Sequence, residues 1–104
     1  MTAGDFRKLA LALEGAEESA HQQHPDFRAP NGKVFATLGY PSAEYAMVKL
    51  TPEQQEMFIR LDSTAFVPVK GTWGAKGATN VLLKKAKKTT VREALLVAYR
   101  NVTA

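Results

Sequence analysis

Between Ser63 and Arg92 the chain places Lys70, Lys76, Lys84, Lys85, Lys87, Lys88 and Arg92 and not one carboxylate; the acids stop at Asp62 and resume at Glu93. Side chains of one charge at this density suit one task above others, the neutralisation of a polyanion. Inside the stretch lies Gly71-Thr-Trp-Gly-Ala-Lys-Gly77, a glycine-rich loop that displays the only tryptophan. Glycines let backbone N–H groups approach phosphate oxygens, Lys70 and Lys76 supply charge, and Trp73 offers a flat face to a base or sugar. The competing arrangement folds Trp73 back as a lid on the core. In Lys84-Lys-Ala-Lys-Lys88, the first two lysines would point to opposite faces of a strand end, so the four cannot all grip one backbone. The run also precedes a helix N-terminus, whose free N–H groups favour an anion. Read alone, it is a solvated charge run that blocks edge pairing.

These residues make up the candidate nucleic-acid-binding set: Lys70, Trp73, Lys76, Lys84, Lys85, Lys87, Lys88 and Arg92. Few side chains suit base-edge reading, Asn80 being the main one, so weak sequence preference is expected. If about five phosphates are neutralised, log K falls against log salt with a slope near −4 to −5 on duplex DNA.

Other chemistries find less support. There is no cysteine, hence no disulfide, thiolate nucleophile or cysteine metal site. His21, His24 and Asp26 have the wrong spacing for one face of a strand, and Pro25 discourages the helix that would gather them. Glu17, Glu18, Ser19 and His21 form the one cluster with acid–base potential, yet no nucleophile elbow, Walker loop or dinucleotide fingerprint accompanies it. A non-catalytic domain without metal or cofactor is expected. The alternative is a protein-interaction or small-ligand domain using the exposed sheet face, with Phe27, Phe35, Tyr40 and Tyr45 as its apolar patch. Lys33 and Lys49, which interrupt apolar strands, would snorkel from that face or extend the basic surface across it.

The elements that must position these residues are legible in their periods. Thr2 with Asp5 forms a capping box, and Phe6, Leu9, Ala10 and Leu13 share a helical face that Gly15 closes. Thr51-Pro-Glu-Gln54 opens a second helix with Met57, Phe58 and Leu61 as its buried stripe. A third starts at Thr90, with Val91, Ala94, Leu95, Ala98 and Val102 inward. Between them the period is two: residues 33–38 alternate around Val34, Ala36 and Leu38, and 45–50 around Ala46, Val48 and Leu50. Pro30-Asn-Gly32 turns residues 26–29 onto 33–38, and residues 18–22 form a polar edge strand. Residues 66–69 and 79–84 pair across the glycine loop, with Pro68 at an edge or a bulge, since it cannot donate to a ladder. The class is α+β: a two-layer sandwich of an antiparallel sheet of five to six strands packed by three helices.

A chain of 104 residues, 45% hydrophobic and 23% charged, makes a single domain over 1–104. It should bury roughly 65% of its unfolded surface without staples. Residues 1–48 hold four bases and six acids, residues 49–104 ten bases and four acids, so one end of the chain is strongly basic. The first residues lack a signal-peptide pattern, and no apolar run reaches the roughly 18 residues of a membrane span, so a soluble cytoplasmic protein, monomeric or weakly dimeric, is expected.

The residues Asp5-Phe-Arg, Leu9-Ala-Leu11, Gly15-Ala-Glu-Glu-Ser19, Pro25-Asp-Phe-Arg28 and Gly32-Lys-Val-Phe-Ala-Thr37 occur in that order. Val48-Lys-Leu-Thr-Pro-Glu-Gln-Gln55, Phe66-Val-Pro68, Gly71-Thr-Trp-Gly74, Thr79-Asn-Val-Leu-Leu83 and Ala98-Tyr99 follow. In order and spacing the chain resembles the MmcQ/YjbR family of small bacterial proteins over nearly its whole length. The resemblance implies a frataxin-like sandwich whose two hairpins project as paired wings, and DNA as the partner ahead of RNA by analogy with that double-wing architecture. One branch of the family carries a histidine- and lysine-rich segment ahead of its tryptophan; this chain has Val69-Lys-Gly-Thr-Trp73 there, so any role tied to that segment does not transfer.

Overall fold

A computed structural model describes every residue except Gln22, with His21 described through its backbone alone. The elements are α1 (Ala3–Leu11), β1 (Glu17–His21), β2 (His24–Arg28), β3 (Val34–Leu38), β4 (Tyr45–Lys49), α2 (Pro52–Leu61), β5 (Phe66–Pro68), α3 (Thr72–Ala75), β6 (Ala78–Leu82), a 3₁₀ turn (Leu83–Lys85) and α4 (Lys88–Thr103). Two helix starts follow from local chemistry. The Thr2 hydroxyl accepts the Asp5 N–H at 3.1 Å while Asp5 accepts the Thr2 N–H at 2.9 Å. Thr51 and Gln54 repeat the exchange at 3.2 and 2.9 Å, with Pro52 at the first helical position. Each cap contributes about 1 kcal/mol.

The strands form one antiparallel sheet in the order β1-β2-β3-β4-β6-β5. Helices α2 and α4 pack on one face, and α1 lies beside α4 with Phe6 edge-on to Phe27 of β2. All five phenylalanines (Phe6, Phe27, Phe35, Phe58 and Phe66) are buried in this layer. Each contributes roughly 1.5–3 kcal/mol by leaving water. The aromatic surface that remains is therefore carried by other residues, chiefly Trp73 and Tyr40. No helix among the described residues is long and apolar enough to cross a membrane.

Several expectations need correction. Phe27 and Phe35 are core residues and cannot form an apolar surface patch. The cause at Phe35 is a bulge: Phe27 pairs with Ala36 and Arg28 with Val34, leaving Phe35 as the extra residue. Its ring turns to Tyr99 of α4 at 5.5 Å, and Val34 moves to the other face beside Arg28. On α2, Phe58 is buried but Met57 and Leu61 are 47% and 66% exposed, because this helix packs mainly against the β5–β6 edge. Helix α4 begins at Lys88 rather than at a Thr90 cap, and Lys87 at its N-cap makes no side-chain capping bond. The glycine segment is not an open loop: Thr72–Ala75 form a fourth, short helix. Lys84 and Lys85 lie in the 3₁₀ turn beyond β6, not on a strand.

Candidate nucleic-acid interface

The basic residues divide into groups. Lys70 follows β5 and Lys76 follows α3, both at the end where β6 starts. Lys84 and Lys85 lie past the other end of β6, about 16 Å of strand away. Lys87 and Lys88 open α4, and Arg92 stands on its outer surface in the helical layer. Carboxylates from distant parts of the chain reach this second group. Asp5 approaches Lys88 at 3.7 Å. The Thr2 amide holds the Asp5 carboxyl below its usual range, with Lys88 adding a smaller contribution. The Thr64 hydroxyl does the same for Asp62, and Lys87 again helps. The 84–92 cluster is thus partly neutralised in space, although no acid interrupts it in sequence.

Lys70 and Lys76 flank a different feature. Trp73, in α3, is 64% exposed and faces the side of the sheet that no helix covers. Its turn is held from below. The Gln55 side-chain amide of α2 donates to the Gly74 carbonyl at 3.1 Å, the Ala78 carbonyl at 3.0 Å and the Thr79 hydroxyl at 3.2 Å. Thr79, fully buried, donates in turn to the Gly77 carbonyl at 2.8 Å. Gly74 lies so close to the Val69 backbone that no side chain fits between them. Trp73 is therefore an exposed ring on a rigid mount, not a lid on the core.

Cross-strand register defines what lies beneath it. Asp26 pairs with Thr37, Thr37 with Met47, and Met47 with Asn80, so these four form a row across the open face. Arg28, Val34, Lys49 and Ala78 form the next row on the Trp73 side. His24 and Tyr40 close the opposite side, ring edge to ring face at 5.7 Å. The result is a trough of about 510 Å³. A second hollow of about 330 Å³, reaching Tyr45, Val67 and Lys70, joins it through Tyr40, Val69 and Asn80. Tyr40 and Tyr45 of the expected apolar patch do line this surface.

The trough's electrostatics are lopsided. Its one acid, Asp26, is 3% exposed and accepts two bonds from Arg28, Nε at 3.1 Å and Nη2 at 3.3 Å. That hydrogen bonding raises the already high pKa of Arg28. Among the described residues the other ion pairs are Arg7–Glu18, Glu56–Arg60 and Asp5–Lys88, so Lys49, Lys70 and Lys76 face solvent unpaired. With Asp26 cancelled by Arg28, the surface keeps a net positive charge.

A family model described as YjbR matches residues 11–101, which include every element of the trough. The chain belongs to the YjbR family. Searches of curated proteins and of solved structures find no match. Within this YjbR domain the other sequence-level candidates are dispersed. Glu18 is engaged by Arg7 at 2.8 Å on the helical side of β1, whereas Ser19 pairs with Asp26 toward the open face. The side chain of His21 lies outside the described residues, and among those described no three His, Cys, Asp or Glu side chains gather as metal ligands. Sequence reasoning missed Gln55, Arg28, Thr37 and Met47. Only the alternation of β2, β3 and β4 carried a signal for the last three: Thr37 and Met47 fall between the inward residues of their strands.

Proposed function

We propose that this YjbR protein is a non-catalytic nucleic-acid-binding domain that holds a strand across the open face of its sheet. The observation that carries the reading is an exposed Trp73 on a rigid turn, set over a trough whose single carboxylate is already neutralised and which Lys49 lines, with Lys70 on the adjoining hollow and Lys76 exposed at the end of α3. Phosphates would take those three lysines, and aromatic faces would take bases or sugars. Lys84, Lys85, Lys87, Lys88 and Arg92 steer from a distance rather than grip.

Fluorescence anisotropy of a labelled oligonucleotide against salt tests this. Three phosphate contacts give a log–log slope of about −2 to −3. Replacing both Lys49 and Lys70 with alanine flattens the slope to about −1, whereas replacing Lys84 and Lys85 leaves it nearly unchanged. Absence of binding at low salt rejects the reading, and a slope near −5 transfers the grip to the 84–92 cluster. Asp26→Asn has the opposite sign. It removes the one negative charge in the trough and frees Arg28, so affinity at low salt rises about two- to fivefold. An unchanged or weaker affinity means that the ligand does not lie over Asp26.

The trough's volume supports a second reading, a small anionic aromatic ligand, since about 510 Å³ lies within the usual range of such sites. Titration with free nucleotides separates the two.

A further inference from the structure

We propose that the two joined hollows on the open sheet face receive two consecutive unstacked bases of a single-stranded polynucleotide, so that the domain prefers single strands to duplex. The inference rests on the nucleic-acid reading above and adds the form of the partner.

Three observations converge on it. First, the walls are aromatic on both sides: Trp73 at one, the His24–Tyr40 pair at the other, with Tyr45 in the second hollow. A flat ring that enters finds stacking surface whatever its sequence. Second, the floor between the walls is small and mixed. Thr37, Met47 and Asn80 lie in register across three neighbouring strands, giving apolar contact for a ring and one amide for its edge. Asn80 borders both hollows, where its donor and acceptor can meet the edge of either base. Third, the cations sit at the rim: Lys49 opens on the first hollow and Lys70 on the second, as successive phosphates of an extended strand require.

Duplex does not satisfy this arrangement. Its bases are stacked and paired inside a cylinder, so it could touch the rim lysines but leave the aromatic walls and floor unused. A peptide adding itself as a strand is also a poor fit. It would pair with an edge strand, β1 or β5, the latter interrupted by Pro68 without an N–H, and it would not use the face.

Trp73 is the only tryptophan, so its fluorescence reports the trough directly. The full chain is titrated with an unlabelled oligothymidylate, with the same strand annealed to its complement, and with thymidine monophosphate. The expected result is quenching by the single strand, with duplex at least tenfold weaker and the monophosphate far weaker still. In anisotropy, Trp73→Ala weakens the single strand about five- to a hundredfold, while Trp73→Phe, which keeps a ring, recovers most of it. Because Trp73 is exposed, both variants keep the fold, which circular dichroism verifies. Asn80→Leu weakens single strands and leaves the duplex unaffected. Duplex binding as tight as the single strand, with no quenching, overturns base entry while the nucleic-acid reading stands. No binding by any polynucleotide overturns that reading itself. Monophosphate binding equal to that of the oligomer overturns the two-base strand in favour of a free nucleotide.

Discussion

Gly74→Ala destabilises the domain by about 3 kcal/mol or more, although it adds one methyl group to a good helix former's position. A Cβ at Gly74 would lie 1.6 Å from the Val69 carbonyl oxygen and 2.7 Å from its carbon. These are backbone atoms, so no side chain can swing away. Val69 cannot retreat either, because its N–H bonds the Ala78 carbonyl at 3.0 Å and closes the β5–β6 pair. The substitution must break that pair or expel α3. Gly77→Ala fails for two reasons at once: φ is +110°, and its Cβ would meet the Leu50 oxygen at 2.0 Å. Gly4→Ala is the control. It lies in α1 with its nearest neighbour at 3.7 Å, so it raises stability by up to about 1 kcal/mol. Urea denaturation of the three variants checks the order. A Gly74→Ala midpoint equal to that of the parent means that the close contact between α3 and Val69 does not exist.

That contact also marks where the sequence stops being informative. Features governed by neighbours a few residues away are read correctly: the Thr2 and Thr51 boxes, the turn at Pro30-Asn-Gly32, the alternation of β4 and Pro68 on an edge strand all appear where local chemistry puts them. The α+β sandwich follows from those elements and their order. What fails is each inference that treats nearness in sequence as nearness in space. Lys76 and Lys84 are eight positions apart, yet β6 carries them to opposite ends of the sheet. Lys88, in a stretch without acids, meets Asp5 from the other end of the chain. Met57 and Leu61 have the spacing of a buried stripe, but α2 lies over a sheet edge that covers only the side of Phe58. The bulge at Phe35 has no glycine or proline to announce it, and one extra residue exchanges the faces of Val34 and Phe35. The trough was legible only as an exposed sheet face carrying Tyr40, Tyr45 and Lys49. Its walls depend on how α3 is mounted.

The mounting residue yields the second large effect. Gln55→Ala removes an amide that bonds three partners 19 to 24 positions away, two of them backbone carbonyls, that of Gly74 within α3 and that of Ala78 at the start of β6. Gly74 and Ala78 are buried, so water cannot readily replace it. The Gly74 carbonyl keeps the Gly77 N–H and the Ala78 carbonyl keeps the Val69 N–H, so the loss is that of the amide's own bonds, about 1 kcal/mol each and about 2–3 kcal/mol together. Gln55→Met keeps the shape without the donors and should lose nearly as much. Gln55→Glu should do no better, because an ionised carboxylate can only accept, and here it would face two carbonyls. If the effect were only structural, affinity would be unchanged once the variants are compared under folded conditions. A role in positioning Trp73 instead predicts faster amide exchange at Gly77 and Ala78, a changed Trp73 near-ultraviolet signal, and single-strand affinity that falls in proportion to that change. Exchange rates and spectrum identical to the parent's would show that the ring keeps its place without Gln55. The coupling from helix α2 through the glycine turn to the open face would then be refuted.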